Sequence, residues 1–385
     1  MTLCPRRIAA CLLMTAISLG CKKVGTPSPP PPPVTPPTPV WDVNAYRGVW
    51  LTNVASAALD SRDNIKLAID NCKKGGINHV FVVVYNAART LYPSAVMQNL
   101  IGIPIMERFA GRDPLKEVIE EGHAAGLKVH AWFEYGFSSS YSQNGGPILV
   151  AKPQWAARDF NGALTVKNGF DWLNAFHPEV QQYMINLFKE VVTKYDIDGV
   201  QGDDRLPAVP SSSGYDAYTT TLYRAERGTD PPPSSSEPNW VAWRAGKLNA
   251  FLKRLRNEVK AIKPNVLVTM SPSPYPFSLN EYLQDWPVWV DSAWVDAVFP
   301  QCYRYDLPAY SAVLSQQAAV LRGSKASICY PGVLVKSGTY VATDGFLTQM
   351  IQVNRSNGFK GEAFFFYEGL KDRISFFQGQ YPYIK

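Results

Sequence analysis

Asp203 and Asp204 close the stretch Asp196-Ile197-Asp198-Gly199-Val200-Gln201-Gly202-Asp203-Asp204-Arg205, where a short apolar run gives way to a proline-containing loop. Glu134 closes a second apolar run and Glu368 a third. Two carboxylates across a pocket suit cleavage of a glycosidic bond: one protonates the leaving oxygen, the other attacks or stabilises the sugar cation. Side chains alternate along a strand, so Asp203 shares the inward face with Gln201, and Asp204 falls at the rim beside Arg205. Asp203 is therefore the expected nucleophile or cation stabiliser. Glu368 is the first choice for general acid and Glu134 the second. The plainer readings are a loop start or helix cap for the aspartates, an exposed strand end for Glu368, and a structural partner of His130 or an arginine for Glu134.

Other chemistries lack their residues. Of the four histidines, His79 begins a strand, His123 lies in a helix, His130 lies within a strand and His177 precedes a helix, so no metal-ligand spacing emerges. No serine sits in a glycine elbow and no glycine-rich phosphate loop is present. Neither metal nor cofactor is expected. Gln301 ends a further strand, and Trp132, Tyr135, Trp172, Tyr303, Tyr305 and Tyr330 fall at or just after strand ends. Their flat faces match the apolar faces of sugar rings, and two or three of the six are expected to stack on substrate.

The elements that must position these groups recur in order. Apolar runs at 46–52, 79–85, 128–134, up to Asp203, 266–271, 297–303, 327–332 and 362–368 read as eight strands. Amphipathic segments separate them, among them 63–74, a helix from Asp113-Pro114 to Gly126, one from Pro178, and 240–263. Near-continuous apolar strands alternating with helices imply a parallel sheet covered on both faces, and eight repeats imply a single catalytic (β/α)8 TIM barrel of the α/β class. A doubly wound open sheet is the competitor, but its first-turn glycine fingerprint is missing. The long connections 137–174, 206–238 and 273–295 all follow strands, on the face where barrel enzymes keep their chemistry. The Ser/Pro-rich piece 230–238 is expected to be mobile.

A 46% apolar, 18% charged composition supports a full globular core. The chain begins with an address. Arg6-Arg7 precede an apolar run from Ile8 to Leu19 that is too short to span a bilayer and ends in Gly20-Cys21. Residues 1–20 read as a lipoprotein signal, Cys21 as the lipidated residue, 21–40 as its tether and 41–385 as the catalytic body. Ser18 stands where leucine is commonest, and ordinary secretion is the alternative. Nine of the fourteen residues 27–40 are proline, so this piece favours extended polyproline II rather than a core. Loss of Arg6 and Arg7 lowers the net charge from +6 to +4, and no Lys/Arg run is dense enough for nucleic acid. Cys4 and Cys11 leave with the signal. Cys72, Cys302 and Cys329 remain as buried thiols, or with Cys302 and Cys329 bridged. The expected protein is a monomer facing the periplasm or exterior, held to a membrane through Cys21.

At these residues the chain resembles the glycosyl-hydrolase-like 10 family of secreted or lipid-anchored bacterial barrels. The matches are Arg47-Gly48-Val49-Trp50, Ala131-Trp132-Phe133-Glu134-Tyr135-Gly136-Phe137, His177-Pro178-Glu179-Val180, Tyr195 through Asp204, Phe299-Pro300-Gln301-Cys302-Tyr303 and Phe365-Phe366-Tyr367-Glu368-Gly369-Leu370. The resemblance implies hydrolysis of bacterial amino-sugar glycans, either denuded peptidoglycan or partly deacetylated poly-N-acetylglucosamine, and maps the family's acidic pair onto Asp203 and Asp204. Many members have an aromatic residue where Arg205 stands and Asn where Glu134 stands. The expected substrate-binding set is Arg47, His130, Trp132, Tyr135, Gln201, Arg205, Gln301, Tyr303 and Tyr330. Arg205 occupies the place where a substrate-assisted chitinase would carry glutamate. Gln201 replaces the arginine of an α-amylase-type barrel. A non-catalytic glycan-binding lipoprotein and an α-glucan hydrolase are the alternatives.

Overall fold

The near-continuous Val, Phe and Trp runs form strands buried on both faces, as a parallel sheet covered by helices requires. In the computed structural model, which describes residues 45–321 and 323–381, the eight strands are β1 (Arg47–Leu51), β2 (His79–Val83), β3 (Lys128–Phe133), β4 (Gly199–Gly202), β5 (Leu267–Met270), β6 (Ala297–Val298), β7 (Gly332–Leu334) and β8 (Glu362–Phe365). Their order is β6-β5-β4-β3-β2-β1-β8-β7, with every neighbouring pair parallel. The circle closes between β6 and β7 through a parallel bridge of Val298 with Cys329. There the Tyr330 N–H donates to the Val298 carbonyl at 2.9 Å and the Gly332 N–H to the Pro300 carbonyl at 2.8 Å. Each strand thus lies beside its sequence neighbours, which is the (β/α)8 barrel and not the open sheet. The signal, Cys21 and the tether lie outside the described residues.

Helices begin where capping chemistry places them. Ser61 caps α1 (Arg62–Lys74), Asp113 caps α2 (Pro114–Ala124), His177 caps α3 (Pro178–Lys194) and Glu237 caps α4 (Pro238–Ile262). Asp306 caps α5 (Leu307–Val320) and Thr343 caps α6 (Asp344–Ser356). In each case the cap side chain accepts an otherwise orphaned backbone N–H. Four of the six carry proline in the first turn, where its missing donor costs nothing.

Three strands depart from expectation. The run 297–303 stays in the sheet only at Ala297–Val298, so Gln301 lies on the loop after β6. In the run 327–332 the first two residues end a 3-10 segment, Gly323–Ile328, and the ladder of β7 starts only at Gly332, beyond Pro331, which has no N–H to donate. The run 362–368 leaves the sheet after Phe365, and Tyr367–Leu370 makes a helical turn that carries Glu368. The loops have structure of their own. Residues 137–174 fold into a three-stranded antiparallel sheet, Ser138–Tyr141, Phe170–Trp172 and Val166–Lys167, with a short helix Gly146–Ala151. The segment 230–238 is anchored, contrary to the expected mobility. Tyr215 Oη donates to the Pro232 carbonyl at 3.0 Å, and Arg244 Nη2 donates to the Ser235 carbonyl. Cys72, Cys302 and Cys329 are free and buried, so no bridge joins the last two. No described helix is long and apolar enough to cross a membrane.

The N-terminal end of the barrel is filled by rings. Tyr46 stacks on His79 at 3.8 Å, His79 Nδ1 and His130 Nε2 share a hydrogen bond of 2.8 Å, and Phe299 stacks on Tyr330. Gly199 makes this layer possible. A Cβ there would lie 2.1 Å from His130 Nδ1, so only glycine lets the imidazole cross β4.

Candidate active site

Trp132 of β3 lies opposite Gln201 of β4, and Phe133 opposite Gly202. The next residues, Glu134 and Asp203, therefore emerge side by side at the C-terminal end of the barrel. Gly202 permits the turn that follows, since a Cβ there would meet the Leu206 carbonyl at 2.8 Å and Met270 Sδ at 2.5 Å. The Leu206 N–H closes that turn on the Asp203 carbonyl at 3.0 Å. Gln284 Nε2 donates to the same carbonyl at 3.1 Å, which fixes the backbone beneath the side chain.

Asp203 is 3% exposed. Its Oδ1 accepts from the Asp204 N–H at 2.8 Å and from Gln301 Nε2, which arrives from the loop after β6. Its Oδ2 is left to Arg205. One nitrogen of that guanidinium, Nη2, stands 3.5 Å from Asp203 Oδ2 and 3.8 Å from Glu134 Oε1, and Nη1 stands 3.1 Å from Asp204 Oδ1. The two oxygens facing Nη2 cannot be further apart than those two distances combined. Arg205 is itself held, with Nε donating to the Glu134 carbonyl at 3.1 Å and the guanidinium over Phe170 at 4.7 Å and Tyr135 at 5.9 Å. Asn86 Nδ2 donates to Glu134 Oε2 at 2.5 Å.

Three carboxylates thus share one cation. Burial pushes the Asp203 carboxyl well above its ordinary value, the Asp204 and Glu134 charges add to this, and Arg205 opposes it. Burial also raises Glu134, against the pull of Arg205 and Asn86. Tyr303, beside this cluster, is raised by burial and by the Asp203 and Asp204 charges, which keeps its phenol protonated as a potential donor.

The structure brings Asp203, Asp204, Glu134, Arg205, Gln301, Tyr303 and Tyr135 together. Glu368 holds other partners: Ser56 Oγ donates to its Oε1 at 2.8 Å, and Lys371 Nζ lies 2.5 Å from its Oε2. Trp132 and Gln201 are buried one layer down, where Gln201 accepts from Trp50 Nε1 at 2.8 Å. Arg47, His130 and Tyr330 are at the opposite end of the barrel. Arg47 Nε donates to the Gly76 carbonyl, His130 meets His79, and Tyr330 Oη donates to the Ser327 carbonyl. Packed barrel interior separates Arg47, His130 and Tyr330 from the carboxylates, and Trp132 and Gln201 are buried directly beneath them. Sequence reasoning missed Asn86, Phe170 and Gln284. Only Asn86 left a signal, as a polar residue just past the end of β2. Among the described residues no group of three or more His, Cys, Asp or Glu side chains could hold a metal ion.

A closed barrel whose strands end in clustered carboxylates is the architecture used by glycoside hydrolases. The chain belongs to the glycosyl hydrolase-like 10 family, whose sequence profile matches residues 45–336, a span that includes Asp203 and Glu134 but not Glu368. It is 26% identical over 365 residues to glycosyl hydrolase DigH of Escherichia coli, covering 79% of this chain and 78% of that one. It is 25% identical over 254 residues to glycosyl hydrolase YngK of Bacillus subtilis, covering 59% and 44%. Among solved structures, the glycoside hydrolase domain of PgaB from Bordetella bronchiseptica superposes with a TM-score of 0.65 at 15% identity, over 86% of this chain and 97% of that one. The catalytic domain of β-amylase from Paenibacillus polymyxa gives 0.62 at 10% identity, over 89% and 98%. These likenesses establish the shared barrel.

Proposed function

We propose that this protein hydrolyses glycosidic bonds in bacterial amino-sugar glycans, with denuded peptidoglycan and partly deacetylated poly-N-acetylglucosamine as the substrates to examine first. The observation that carries the reading is the placement of Asp203 and Glu134 on one guanidinium nitrogen at the barrel mouth. Neighbouring carboxyls whose environments differ divide into a proton holder and a charge holder. Asp203, with the more adverse surroundings, holds the proton and delivers it to the glycosidic oxygen as the C–O bond breaks. Glu134, ionised against Arg205 and Asn86, attacks or stabilises the sugar cation, or activates the water that completes hydrolysis. This reverses the order of roles that strand position alone suggested for Asp203, and moves the partnership from Glu368 to Glu134. Gln301 and Tyr303 position the proton and the sugar hydroxyls. Retention of the Cys21 anchor would place a monomeric enzyme at the bacterial envelope.

The experiment is product analysis. The body from Trp41 onward is incubated with denuded peptidoglycan and with deacetylated poly-N-acetylglucosamine, and soluble fragments are identified by mass. Shortened sugars with new reducing ends support the reading. Retained binding to either polymer with no product would instead make the protein a glycan-binding lipoprotein, its site neutralised by Arg205. Release of glucose oligomers from starch alone would favour the α-glucan reading.

A further inference from the structure

Of the six rings at strand ends, five are buried or partly buried and Tyr305 stands 66% exposed. It is held edge-on by Tyr340, with ring centres 4.7 Å apart and planes at 89°. A second exposed tyrosine matches it. Tyr141, 56% exposed, belongs to the three-stranded sheet after β3 and rests edge-on against Phe170 at 5.2 Å and 76°. Gly169, at φ +79°, leaves the space for that ring, since a Cβ would come within 2.7 Å of Tyr141 Cε2. The Ser142 N–H donates to the Gly169 carbonyl at 2.8 Å and pins the strand that carries the tyrosine.

A line of contacts and chain joins the two rings through the carboxylates. Phe170, beneath Tyr141, carries the Arg205 guanidinium on its face. Arg205 reaches Asp203, and Gln301 donates to Asp203 from the loop after β6. Tyr305 lies four residues beyond Gln301, on the loop that leaves β6. The loops bearing the two tyrosines follow β3 and β6, on opposite sides of β4 in the strand order, with β5 between β4 and β6. A single exposed ring is ordinary on a protein surface. Two of them, each ordered by a second aromatic and set on either side of the reacting carboxyl, offer the rigid flat faces on which pyranose rings pack.

We infer that Tyr141 and Tyr305 are sugar-stacking platforms that seat the two ends of a glycan laid across Asp203, so that the protein selects chains over short oligosaccharides. This rests on the glycan-cleaving reading and extends it to how substrate length is sensed. Binding energy from sugars remote from the broken bond would be collected at these rings.

The test compares wild type, Tyr141→Ala, Tyr305→Ala and the double variant on long and short oligosaccharides of the glycan that wild type cleaves. Thermal melts confirm folding, and Phe160→Ala serves as control because that exposed ring leans on Tyr215 rather than on this line. Each tyrosine variant is expected to lower the ratio of kcat/KM for long over short substrates roughly five- to tenfold, mainly through KM, with the double variant near the product of the two. An unchanged ratio in both single variants, or an equal fall in the Phe160 control, overturns the inference. If wild type releases no product, binding to immobilised polymer decides instead. Tyrosine-dependent retention upholds the platforms while the hydrolase reading falls, and retention indifferent to both tyrosines removes them.

Discussion

The two ends of the barrel both bury charged and polar side chains, and they settle them in opposite ways. At the N-terminal end each carboxylate has its own donors. Asp198 is met by His123 Nε2 at 2.7 Å, Lys128 Nζ at 2.8 Å and the Val129 N–H at 2.9 Å, and Asp296 by Lys260 Nζ at 2.9 Å and the Val268 N–H at 2.7 Å. Against the penalty of burial, those donors hold Asp198 below its ordinary value. At the C-terminal end Asp203, Asp204 and Glu134 share Arg205, and burial leaves Asp203 raised. On the proposed mechanism, the same residue type serves stability where cations match it and chemistry where they are too few. A carboxyl that the fold does not fully compensate keeps its proton to higher pH than an ordinary aspartate and can give it up in a reaction.

The sharpest way to break this contrast is Asp203→Asn. Turnover on the cleaved glycan should fall roughly 10²- to 10⁴-fold, as loss of a general acid does. The melting temperature should stay level or rise, because an incompletely compensated buried carboxyl is removed. A collapse of the melt with activity lost in proportion would make Asp203 structural and end the comparison. Arg205→Gln acts on the same balance from the other side. Arg205 lowers both Asp203 and Glu134, so its loss moves both upward. On the proposed mechanism, activity needs Asp203 protonated and Glu134 ionised. The alkaline limb and the acid limb of the pH–rate profile should therefore both shift to higher pH, which kcat/KM across pH would show. A profile that loses height without moving would confine Arg205 to packing against Phe170.

Most of the scaffold was legible because it rests on local chemistry. Strand parity put Asp203 inward, and caps such as Asp113 with Pro114 marked helix starts. What failed depended on partners distant in sequence. Pro331-Gly332 looks like the end of a strand, yet it is the start of β7, because the register is set by the carbonyl of Pro300. Phe364-Phe365-Phe366-Tyr367 reads as one apolar run, but the chain leaves the sheet inside it, which removed Glu368 from the strand end. His130 and Glu134 share a strand face, and that face begins in the ring layer at one end of the barrel and ends in the carboxylates at the other. Parity gives the side of a strand and not the depth along it. Phe170 and Gln284 come from long connections whose return paths leave no periodic signal.

At the N-terminal end the expected effects are on stability. Gly199→Ala forces a methyl against His130 and should destabilise by about 1–3 kcal/mol, read by denaturant titration, while kcat of the folded fraction is kept. An unaffected midpoint would mean that the imidazole moves freely. Burial holds His130 down to about 4 and His79 to about 2. Both stay neutral when folded, whereas the unfolded chain takes up protons below pH ~6.5. Their contribution is therefore complete above that pH and is lost as pH falls, down to about 4 for His130 and about 2 for His79, at up to about 1.4 kcal/mol per unit for each histidine. His130→Leu should flatten this slope in denaturation curves measured between pH 7 and pH 5.

The smallest effect should come from Glu368→Gln, and its smallness is informative. Glu368 belongs to the active face by position but to the N-terminal end by character, since Ser56 and Lys371 satisfy it as donors satisfy Asp198. If compensation separates structural from reacting carboxyls, the variant should keep kcat within about threefold and change the melt only slightly, because Lys371 is partly exposed and water screens the pair. A loss of turnover comparable with that of Asp203→Asn would show that a carboxyl with a full set of partners can still serve as the acid. The working pair would then be Asp203 with Glu368, and the sharing of one guanidinium would no longer mark the reacting groups.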